Sequence, residues 1–575
     1  MSKQDPIRLV APFTLQTERL GPLPLVNHFL ERMGLEEILD KHVTTHDRRI
    51  TLAHAKGLGV LLRSLVVERE PIYRQQETVR TFAPIAYGIE PGDVDQVGDD
   101  RIGRALDALF DADRGALLTE AVIAVGKRFG VRFDQLHNDS TSIRFCGQYR
   151  SAQGRRVRGR RAPCITYGYS KDHRPDLKQL LFCLTTSFDG GVPVQFRCSD
   201  GNTNDSQTHI ETWEALREVS GKSDFLYVAD SKLCTRENMD YISRRGGRFV
   251  TVLPRSRLED REFRKWIQTN DPNWEKIWDR PNPKRKAGPR DRWYAMLAPL
   301  PSQEGWRVVW VFSCLLALKQ ARSRRERIAA ASEELSDLKR RLASAKSRVR
   351  SASEVNRRLE QILRRHRVGR YLQIRRTVHE EHSFRQMRRG RPGPDTSYRR
   401  ITRRRPDLEW NLDQKAIDYD SKSDGMYPLL TNDKALTLGQ VLEAHKGQPR
   451  IEKRFEQIKS VHEIAPVFLK NEGRIEALFT LYFLGLLVQA LIERELRMAM
   501  KQQRIQDLPL YPEERRCKHP TTAQVLRLFS HAEQHVLLRG DTIIQVFRPQ
   551  LTDLQKETLR LLGIPERVFR GKAPR

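Results

Sequence analysis

The sequence predicts an α/β protein in which a mixed β-sheet core is interrupted by a coiled-coil and basic insertion, with helical regions at both ends. Three observations predict this fold class. Apolar residues recur every three or four positions near both ends of the chain, short apolar strand-like runs occupy its middle, and a heptad pattern separates two groups of these runs.

Residues 1–130 are predicted to be mainly helical, because segments such as 23–43 and 51–68 place their apolar side chains on one helical face. Asp99 or Asp100 could cap a further helix. Short helices with basic side chains suggest a DNA end-binding region. A helical packing domain explains the same pattern equally well, and both alternatives stay open.

Strand-like runs dominate the predicted first part of the core, residues 131–315. Their order predicts three antiparallel strands followed by helix, strand, helix and strand, which makes a sheet of mixed pairing. The sequence Phe-Asp-Gly-Gly at 188–191 predicts the turn of a hairpin. The candidate strands are 131–138, 180–188, 192–198, 224–230 and 248–254, and the candidate helices are 210–220 and 234–246.

Residues 316–410 are predicted to form a coiled-coil and Arg-rich insertion. Residues 319–376 hold 19 basic and 6 acidic residues, a net charge of +13, which is typical of a solvated helix or of an arm that contacts DNA. Residues 385–405 are predicted to be a loop or a phosphate-contacting hairpin. The heptad predicts one continuous helix from about 320 to 365 with a seam exposed to a partner. The seam residues are Ile328, Ala331, Leu335, Leu338, Leu342, Ala345, Val349, Ala352, Asn356, Leu359 and Leu363.

The core is predicted to resume over residues 411–498, with a strand pattern at 416–433. Residues 499–575 are predicted to form a helical region that serves dimerisation or DNA contact. The longest apolar run, 477–492, is short for a bilayer span and is followed by charges. It therefore predicts a buried core helix, and no membrane is expected as a partner.

Composition points to a polyanionic partner. The chain has 103 Lys and Arg against 73 Asp and Glu, a net charge of +30, which favours nucleic acid. Its seven cysteines form no Cys-x-x-Cys pair, so neither a zinc ribbon nor a disulfide framework is indicated. The first residues lack a signal-peptide core. A cytoplasmic location is therefore expected.

Three acidic residues from distant parts of the chain predict a metal-dependent phosphodiester site. Asp139 and Asp230 each stand at the end of an apolar strand-like run, and Glu452 lies in a predicted helix at 445–459. Carboxylates are natural ligands of Mg²⁺, and two such ions can activate a nucleophile and stabilise a leaving oxygen. Because an aspartate after a strand often caps a helix, that alternative is open for Asp230.

Polar and basic residues around these acids are candidate DNA contacts. In the 445–459 helix, residues at spacings of four and seven share one face. The loop at 168–180 is either a charged turn or a DNA-facing loop, and no metal is expected on its histidine. The candidate DNA-binding residues are His445, Gln448, Arg450, Arg454, Lys459, Lys171, His173 and Arg174.

These motifs resemble the DDE transposases of bacterial insertion sequences, and more narrowly insertion-sequence family four. In that family the third acid lies in a Tyr-x2-Arg-x3-Glu-x6-Lys helix. Here the frame reads His445-x2-Gln448-x3-Glu452-x6-Lys459, with His and Gln in place of Tyr and Arg. The first two acids match in DSTSI and VADSKLCTRENMDYI. Further landmarks are GYSKDHRPDLKQL, GNTNDSQT and DGMYPLLTND.

The resemblance implies a ribonuclease-H-like core in which Asp139, Asp230 and Glu452 hold two Mg²⁺, with Mn²⁺ as a possible substitute. It implies an enzyme that binds terminal inverted repeats in double-stranded DNA, hydrolyses DNA at the element ends and joins the 3′-OH ends to target DNA. A homodimer on DNA and a bacterial, nucleoid-associated location are expected with it. Lys459 is expected to contact phosphate, and Arg450 or Arg454 could replace the charge that Gln448 lacks.

Two rival interpretations stay open from the sequence. One is a catalytically inactive DNA-binding relic or repressor that keeps the fold. The other is a ribonuclease-H-like nuclease without strand transfer. The presence of all three acids counts against the first rival, and the sequence separates the second poorly.

Overall fold

The protein is mixed α/β and has two compact units, which confirms the predicted class at that level. One unit comprises residues 1–251 with 443–575, and the other comprises 252–442. The predicted segments 131–315 and 411–498 each contribute residues to both units. The computed structural model describes residues 12–46, 50–147, 149–150, 152–282, 288–344, 351–461, 469, 471–540 and 542–570.

The elements are numbered in chain order. The strands are β1 (Phe13–Arg19), β2 (Gln135–Phe145), β3 (Arg156–Val157), β4 (Arg160–Arg161), β5 (Lys178–Ser187), β6 (Pro193–Ser199), β7 (Leu226–Ala229), β8 (Arg248–Val252), β9 (Glu275–Arg280), β10 (Asp291–Leu297), β11 (Arg307–Ser313), β12 (Leu372–Gln386), β13 (Tyr398–Leu412), β14 (Met426–Thr431), β15 (Glu533–Arg539) and β16 (Thr542–Phe547). The α-helices are α1 (Leu23–Met33), α2 (Leu35–His42), α3 (His54–Val67), α4 (Gln75–Arg80), α5 (Asp99–Asp111), α6 (Arg114–Phe129), α7 (His209–Ser220), α8 (Arg236–Arg244), α9 (Leu258–Trp266), α10 (Cys314–Ala343), α11 (Ala352–His366), α12 (Gln414–Ser421), α13 (Leu438–Lys446), α14 (Pro449–Glu456), α15 (Glu472–Gln502), α16 (Thr522–Leu528) and α17 (Asp553–Leu561).

The sheet of the first unit has the strand order β6-β5-β2-β7-β8. Strands β2, β5 and β6 pair antiparallel, while β7 is parallel to β2 and β8 is parallel to β7. This is the predicted mixed pairing, with the 188–191 turn between β5 and β6. One boundary was wrong. Strand β2 continues to Phe145, so Asp139 lies inside the strand and not at its end.

Helix α15 is the core helix of the first unit. It is long and apolar enough to cross a membrane by length and composition, but 94% of its most apolar window is buried inside the protein. Its Phe479 and Phe483 lie against Phe182 and Phe196 of the sheet. Helices α1, α3 and α5 also pack on α15. The apolar run therefore forms the protein interior, as the sequence predicts.

The C-terminal region is not wholly helical, contrary to the prediction for 499–575. Strands β15 and β16 form a three-stranded antiparallel sheet with β1 from the beginning of the chain, in the order β1-β15-β16. The segment 533–547 holds two short apolar runs, Val-Leu-Leu and Ile-Ile-Gln-Val-Phe, on either side of Gly540. Such short runs give a weak strand signal between helices, so these strands were not predicted. Helices α16 and α17 confirm the two predicted helices of this region.

The second unit contains an antiparallel sheet of order β14-β11-β10-β9. Strands β9 and β10 were not predicted. The predicted strand pattern at 416–433 is half wrong, because its first part is α12 and only β14 is a strand. The chain leaves this sheet after β11 and returns at β14, where Phe312 pairs with Met426 and the Ser313 amide donates to the Gly425 carbonyl at 3.0 Å.

The heptad segment folds back on itself, so the predicted continuous helix is wrong. Helix α10 ends at Ala343 and α11 begins at Ala352. Glu334 on α10 binds Arg365 at 3.1 Å and His366 at 2.9 Å, which places the two helices antiparallel. The heptad positions Ala345 and Val349 lie outside the described residues.

Most of the seam is buried, and not exposed as predicted, because the second half of the heptad segment covers the first. Ala352 is exposed, and Ile328, Asn356 and Leu363 are partly buried. Leu372 and Leu408 of the next two strands close the same cluster. The other buried members are Ala331, Leu335, Leu338, Leu342, Val355, Leu359, Ile362 and Val368. The insertion therefore has a small core of its own, within the second unit.

Strands β12 and β13 form an antiparallel ribbon of 15 residues each. They pair without a break from Leu372 opposite Leu412 to Gln386 opposite Tyr398. Of the two alternatives for 385–405, the hairpin is correct. Its contact with phosphate stays a prediction.

We predict that Leu338→Asp destabilises the second unit without changing the oligomeric state. Leu338 is 4% exposed within the closed seam, so a buried unpaired carboxylate should cost about 3 kcal/mol or more of unfolding free energy. Thermal unfolding with limited proteolysis measures the loss, and sedimentation measures the oligomer. Ser336→Asp, on the exposed side of α10, is the control. Dissociation of an oligomer by Leu338→Asp alone would contradict the closed seam.

Candidate active site

The candidate site lies where β2 extends beyond its parallel neighbour β7. The two strands pair in step from Gln135 opposite Leu226 to His137 opposite Val228. Strand β7 ends at Ala229, and the next residue is Asp230. Continued by two residues, this register sets Asp230 beside Asp139, at the spacing of about 4.8 Å between neighbouring strands. The parallel pairing thus brings the first two predicted acids together.

A third carboxylate and a lysine complete this cluster. The Lys171 Nζ atom lies 2.8 Å from Asp205 Oδ2 and 3.8 Å from Asp139 Oδ1. It also donates to the carbonyl and the hydroxyl oxygen of Ser140, each at 2.7 Å, and the Ser140 hydroxyl donates to Asp205 at 2.8 Å. An ammonium group therefore stands among the acids and neutralises part of their charge.

Burial and crowding shift the proton affinity of these groups. Burial raises the pKa of Asp139 to about 6, with Lys171 opposing the rise and the nearby Asp230 and Asp205 adding to it. Burial also raises the pKa of Asp230. For Lys171, burial acts to lower the pKa, but Asp139 and Asp205 outweigh it and the pKa is raised. The lysine is therefore a firmly charged cation at neutral pH.

The predicted third-acid helix is anchored to the same strand. The Gln448 amide donates to the Asn138 carbonyl at 2.9 Å, and its oxygen is 2.9 Å from His137 Nδ1. Burial lowers the pKa of His137 to about 4, so its ring is neutral at pH 7. Gly447 allows this approach, because a Cβ there would lie 2.5 Å from the His137 ring. Both ends of the Gln448 amide are thus used inside the protein.

Glu452 lies on α14, one turn after Gln448 and about 6 Å further along the helix axis. Its side chain is exposed, and among the described residues it makes no hydrogen bond or ion pair. Seven residues later, Lys459 binds Asp172 at 2.8 Å. Arg144 of β2 contacts the same carboxylate at 3.3 Å. The helix segment therefore follows β2, with Glu452 between two anchored positions.

The loop before β5 divides its charged residues between the interior and the surface. Lys171 points into the acid cluster, and Asp172 holds Lys459. His173 and Arg174 are exposed, and Arg174 pairs with Asp176 at 2.6 Å. Of the three candidate DNA contacts in this loop, His173 and Arg174 have the accessible positions. DNA contact by any of them stays a prediction.

The structure contradicts a DNA contact for Arg454. Its side chain is 2% exposed and binds Glu493 at 3.0 Å, and it also donates to the carbonyls of Gly190 and Gly191. The first turn of α14 puts Arg450 outside instead, exposed and 4.4 Å above the Phe188 ring. Of the two arginines predicted to replace a missing charge, only Arg450 is accessible.

His445 lies at the end of α13 and is half-buried. Burial lowers its pKa to about 4, and the neighbouring Lys446 and His137 add to the effect. The ring is therefore neutral at pH 7. A contact with phosphate, as predicted from the sequence, would be a hydrogen bond without the charge of an imidazolium group.

Two further observations bear on the metal prediction. Thr235, and not Asp230, caps α8, since its side chain accepts from the Asn238 amide. The helix-cap alternative for Asp230 is therefore wrong, and its carboxylate instead accepts from the Lys232 amide at 2.9 Å. Within the described residues, no three or more His, Cys, Asp or Glu side chains form a ready-made metal cluster.

Comparison with known proteins gives limited matches. The family described as "Domain of unknown function (DUF4277)" matches residues 15–123, about a fifth of the chain. A solved structure described as the cryo-EM structure of the piggyBac transposase synaptic complex with hairpin DNA matches with 12% identity and a TM-score of 0.25, covering 50% of this chain and 60% of that one. A TM-score this low does not establish a shared fold. No curated protein matches the chain.

Sequence reasoning missed Asp205 and Ser140 as members of the site. Asp205 lies in a short turn after β6, where no periodic pattern fixes its direction. Its segment, 201–208, resembles a family landmark, but the resemblance gives the acid no role. Ser140 follows Asp139 directly, and only the strand geometry shows that its hydroxyl joins Asp205 to Lys171.

We predict that Asp139→Asn changes the pH dependence of stability in the presence of a chelator. The folded protein binds the Asp139 proton more tightly than the unfolded chain, so this group's contribution to the unfolding free energy falls as pH rises from about 4 to about 6. The variant should therefore gain stability over the parent at pH 8 relative to pH 4, by up to about 3 kcal/mol. Urea unfolding of the variant and the parent at pH 4 and pH 8 measures this gain. If the two proteins differ in unfolding free energy by the same amount at both pH values, the raised pKa of Asp139 is not the cause.

We also predict that Gly447→Ala disturbs the α13–α14 junction. The new methyl group would meet the His137 ring, so the unfolding free energy should fall by about 1–3 kcal/mol. Gly98→Ala is a matched control, because no heavy atom lies within 4 Å of a Cβ there. Chemical unfolding compares the two. If both variants change the unfolding free energy by the same small amount, the α13–α14 junction accommodates the methyl group without loss of stability.

Proposed function

We propose that the chain is an insertion-sequence DNA transposase of the DDE type. The observation that carries this proposal is the cluster at the end of β7, where Asp139, Asp230 and Asp205 surround the Lys171 ammonium. The helix that bears Glu452 is bonded to the same strand through Gln448. The net charge of +30 supports a polyanionic substrate.

The donor set at this site fits a divalent cation. The acids offer hard carboxylate oxygens, and an ammonium group already stands where positive charge is needed. Asp139 and Asp230, joined by Glu452, are the residues that would hold two Mg²⁺, with Mn²⁺ as a substitute. When bound, Mg²⁺ would activate the attacking oxygen and stabilise the leaving oxygen of a phosphodiester.

The protein's own residues prepare this site. Ser140 and Asp205 hold Lys171 beside Asp139, which reduces the repulsion between the acids before a substrate arrives. Gln448 fixes the distance between α14 and β2. Arg450, His173 and Arg174 are accessible to the DNA backbone, and Lys459 would contact phosphate if its pair with Asp172 opened.

In this proposal the sheet of the first unit is a ribonuclease-H-like core. The enzyme binds the terminal inverted repeats of its element, hydrolyses the DNA at each end and joins the 3′-OH ends to target DNA. Action at two ends favours a homodimer on DNA. Because the heptad seam is closed inside the chain, such a dimer needs a different contact surface. A cytoplasmic, nucleoid-associated location follows from the same proposal.

The test is a cleavage and joining assay on DNA that carries the flanks of the gene. With Mg²⁺, the parent should cut at the element ends and join them to a target plasmid. Asp139→Asn, Asp230→Asn and Glu452→Gln should each lower cleavage by about a hundred-fold or more, because a ligand of the reacting centre is lost. Glu443→Gln, an exposed acid on α13, is the control and should cut normally.

Binding separates the rival interpretations. The three acid variants should bind end DNA as tightly as the parent, since phosphate contacts by basic residues supply most of the affinity. Cutting without joined product would favour a nuclease without strand transfer. Binding without any Mg²⁺-dependent cutting by the parent would favour an inactive relic or repressor. Normal cutting by Glu452→Gln would remove Glu452 from the site.

A further inference from the structure

The β12–β13 ribbon is a largely exposed element of the second unit. Only its inner end packs on the helices of the insertion, through the buried Leu372 and Leu408. From Glu380 to Phe384 every residue of β12 is exposed. A two-stranded ribbon is only marginally stable by itself in water. The thirty residues of β12 and β13 therefore form a ribbon that packs against the rest of the protein at its inner end only.

Charge along the ribbon is strongly uneven. Residues 382–405, its outer part, contain nine arginines and a single acid, Asp395. The other acids of the ribbon lie nearer its base, where Glu380 binds Arg404 and Glu381 binds Arg405, each at 2.9 Å. The outer part therefore carries a net charge of +8, which its ion pairs with Glu380 and Glu381 offset only in part.

The strand register places Arg385 and Arg399 together on one face, whereas Arg400 leaves the opposite face with Phe384. Arg385 and Arg399 are directly opposite each other in the ladder, so their side chains leave the same face. Like charges at such positions destabilise a strand pair. Among the described residues, neither these two arginines nor the adjacent Arg400 forms an ion pair with an acid. An anionic partner would turn this repulsion into a favourable contact.

The opposite face of the outer ribbon is partly aromatic. Phe384 is 67% exposed and Tyr398 is 50% exposed. They are diagonal neighbours in the ladder, since Phe384 faces Arg400 and Gln386 faces Tyr398. Arginine with exposed aromatic side chains, and without lysine, favours a partner that offers both phosphate groups and flat or apolar surfaces.

Among polyanions, duplex DNA fits the shape of the two-stranded ribbon best. A two-stranded ribbon fits the major groove of B-form DNA, which is about 12 Å wide, whereas the major groove of an RNA duplex is too narrow for side chains to read. The five residues of β12 in this outer part, from His382 to Gln386, span about 16 Å, which matches roughly five base pairs. Arginine can reach phosphates on both walls of that groove and the edge of guanine on its floor.

We propose that the outer part of the ribbon, residues 382–405, is a DNA-binding arm that enters the major groove of a duplex. Arg385, Arg399 and Arg400 contact phosphates there. This inference extends the proposed function by adding a DNA surface on the second unit, and it rests on that function only for the choice of DNA as the natural partner. It does not require the acids of the candidate site to be catalytic.

The experiment uses the full chain with EDTA, so that no cleavage takes place. A 30-base-pair duplex is titrated by fluorescence anisotropy at several salt concentrations. The triple variant Arg385→Gln, Arg399→Gln, Arg400→Gln should lower the steepness of log K against log salt by about 2.7, because three phosphate contacts are lost. At about 0.15 M salt the affinity should fall roughly a hundred-fold.

A matched triple variant removes the same charge elsewhere in the second unit. Arg322→Gln, Arg340→Gln and Arg364→Gln lie on α10 and α11, are strongly exposed, and already pair with acids of their own helices. This control should lose less than about threefold in affinity. Dimethyl sulfate protection of guanine N7, which faces the major groove, should disappear in the ribbon variant and persist in the control.

Several outcomes would overturn the proposal. They are equal losses in the two triple variants, no loss in the ribbon variant, or guanine N7 that is unprotected in the parent. Stronger ribbon-dependent binding to single-stranded DNA, duplex RNA or phosphatidylserine vesicles would assign the arm to that partner instead. Thermal unfolding should show the ribbon variant no less stable than the parent, because a like-charge pair has been removed.

The same assay keeps this proposal separate from the proposed function. Asp139→Asn should bind the duplex like the parent and lose binding when the ribbon substitutions are added. A parent that never cuts DNA but shows ribbon-dependent duplex binding would refute the transposase proposal and leave the arm intact. If the ribbon variant cuts and joins DNA normally and binds it with unchanged salt dependence, only the proposal of a DNA-binding arm is refuted.

Discussion

The candidate site depends on one constraint, the difference in length between two neighbouring strands. Strand β2 continues to Phe145, whereas its parallel neighbour β7 ends at Ala229. Beyond Ala229, β2 therefore has no further pairing with β7, and Asp139 and Asp230 lie side by side at this strand end. A slip of one residue in the β2 register would turn Asp139 to the other face of the sheet. The ten-residue ladder between β2 and β5 makes such a slip costly.

A second, buried interaction fixes the helix that crosses this edge. Arg454 and Glu493 are both almost fully buried, and the pair joins α14 to the core helix α15. The remaining polar atoms are satisfied by carbonyls and by Gln457. Loss of one partner of such a pair typically costs about 3–5 kcal/mol. Part of the large positive charge thus serves the interior, so net charge alone overstates the surface that is available to DNA.

Much of the first sheet could be predicted from the sequence, because buried strands and the Gly-Gly turn between β5 and β6 have strong local signals. That Asp139 and Asp230 share a site was expected from their chemistry and from the family resemblance, but the parallel pairing of β2 with β7 that brings them together was not predicted. Other features depend on tertiary contacts that no local pattern contains. A heptad specifies a seam but not its partner, which proved to be the second half of the same segment. Likewise, the helical pattern around Arg454 does not reveal that Glu493 of another helix binds it. Asp205 lies in a turn, where no periodic pattern gives its direction.

The way the insertion joins its sheet has a consequence for evolution and engineering. Residues 314–425 leave and re-enter at neighbouring antiparallel strands, with Ser313 bonded to Gly425 at the junction. The distance between the two ends is set by the sheet and not by the inserted segment. Since the entropy of closing a loop grows only with the logarithm of its length, a segment of very different size could occupy this position at little cost. The junction is a natural graft point, where related chains could exchange one accessory module for another while keeping the strands on either side.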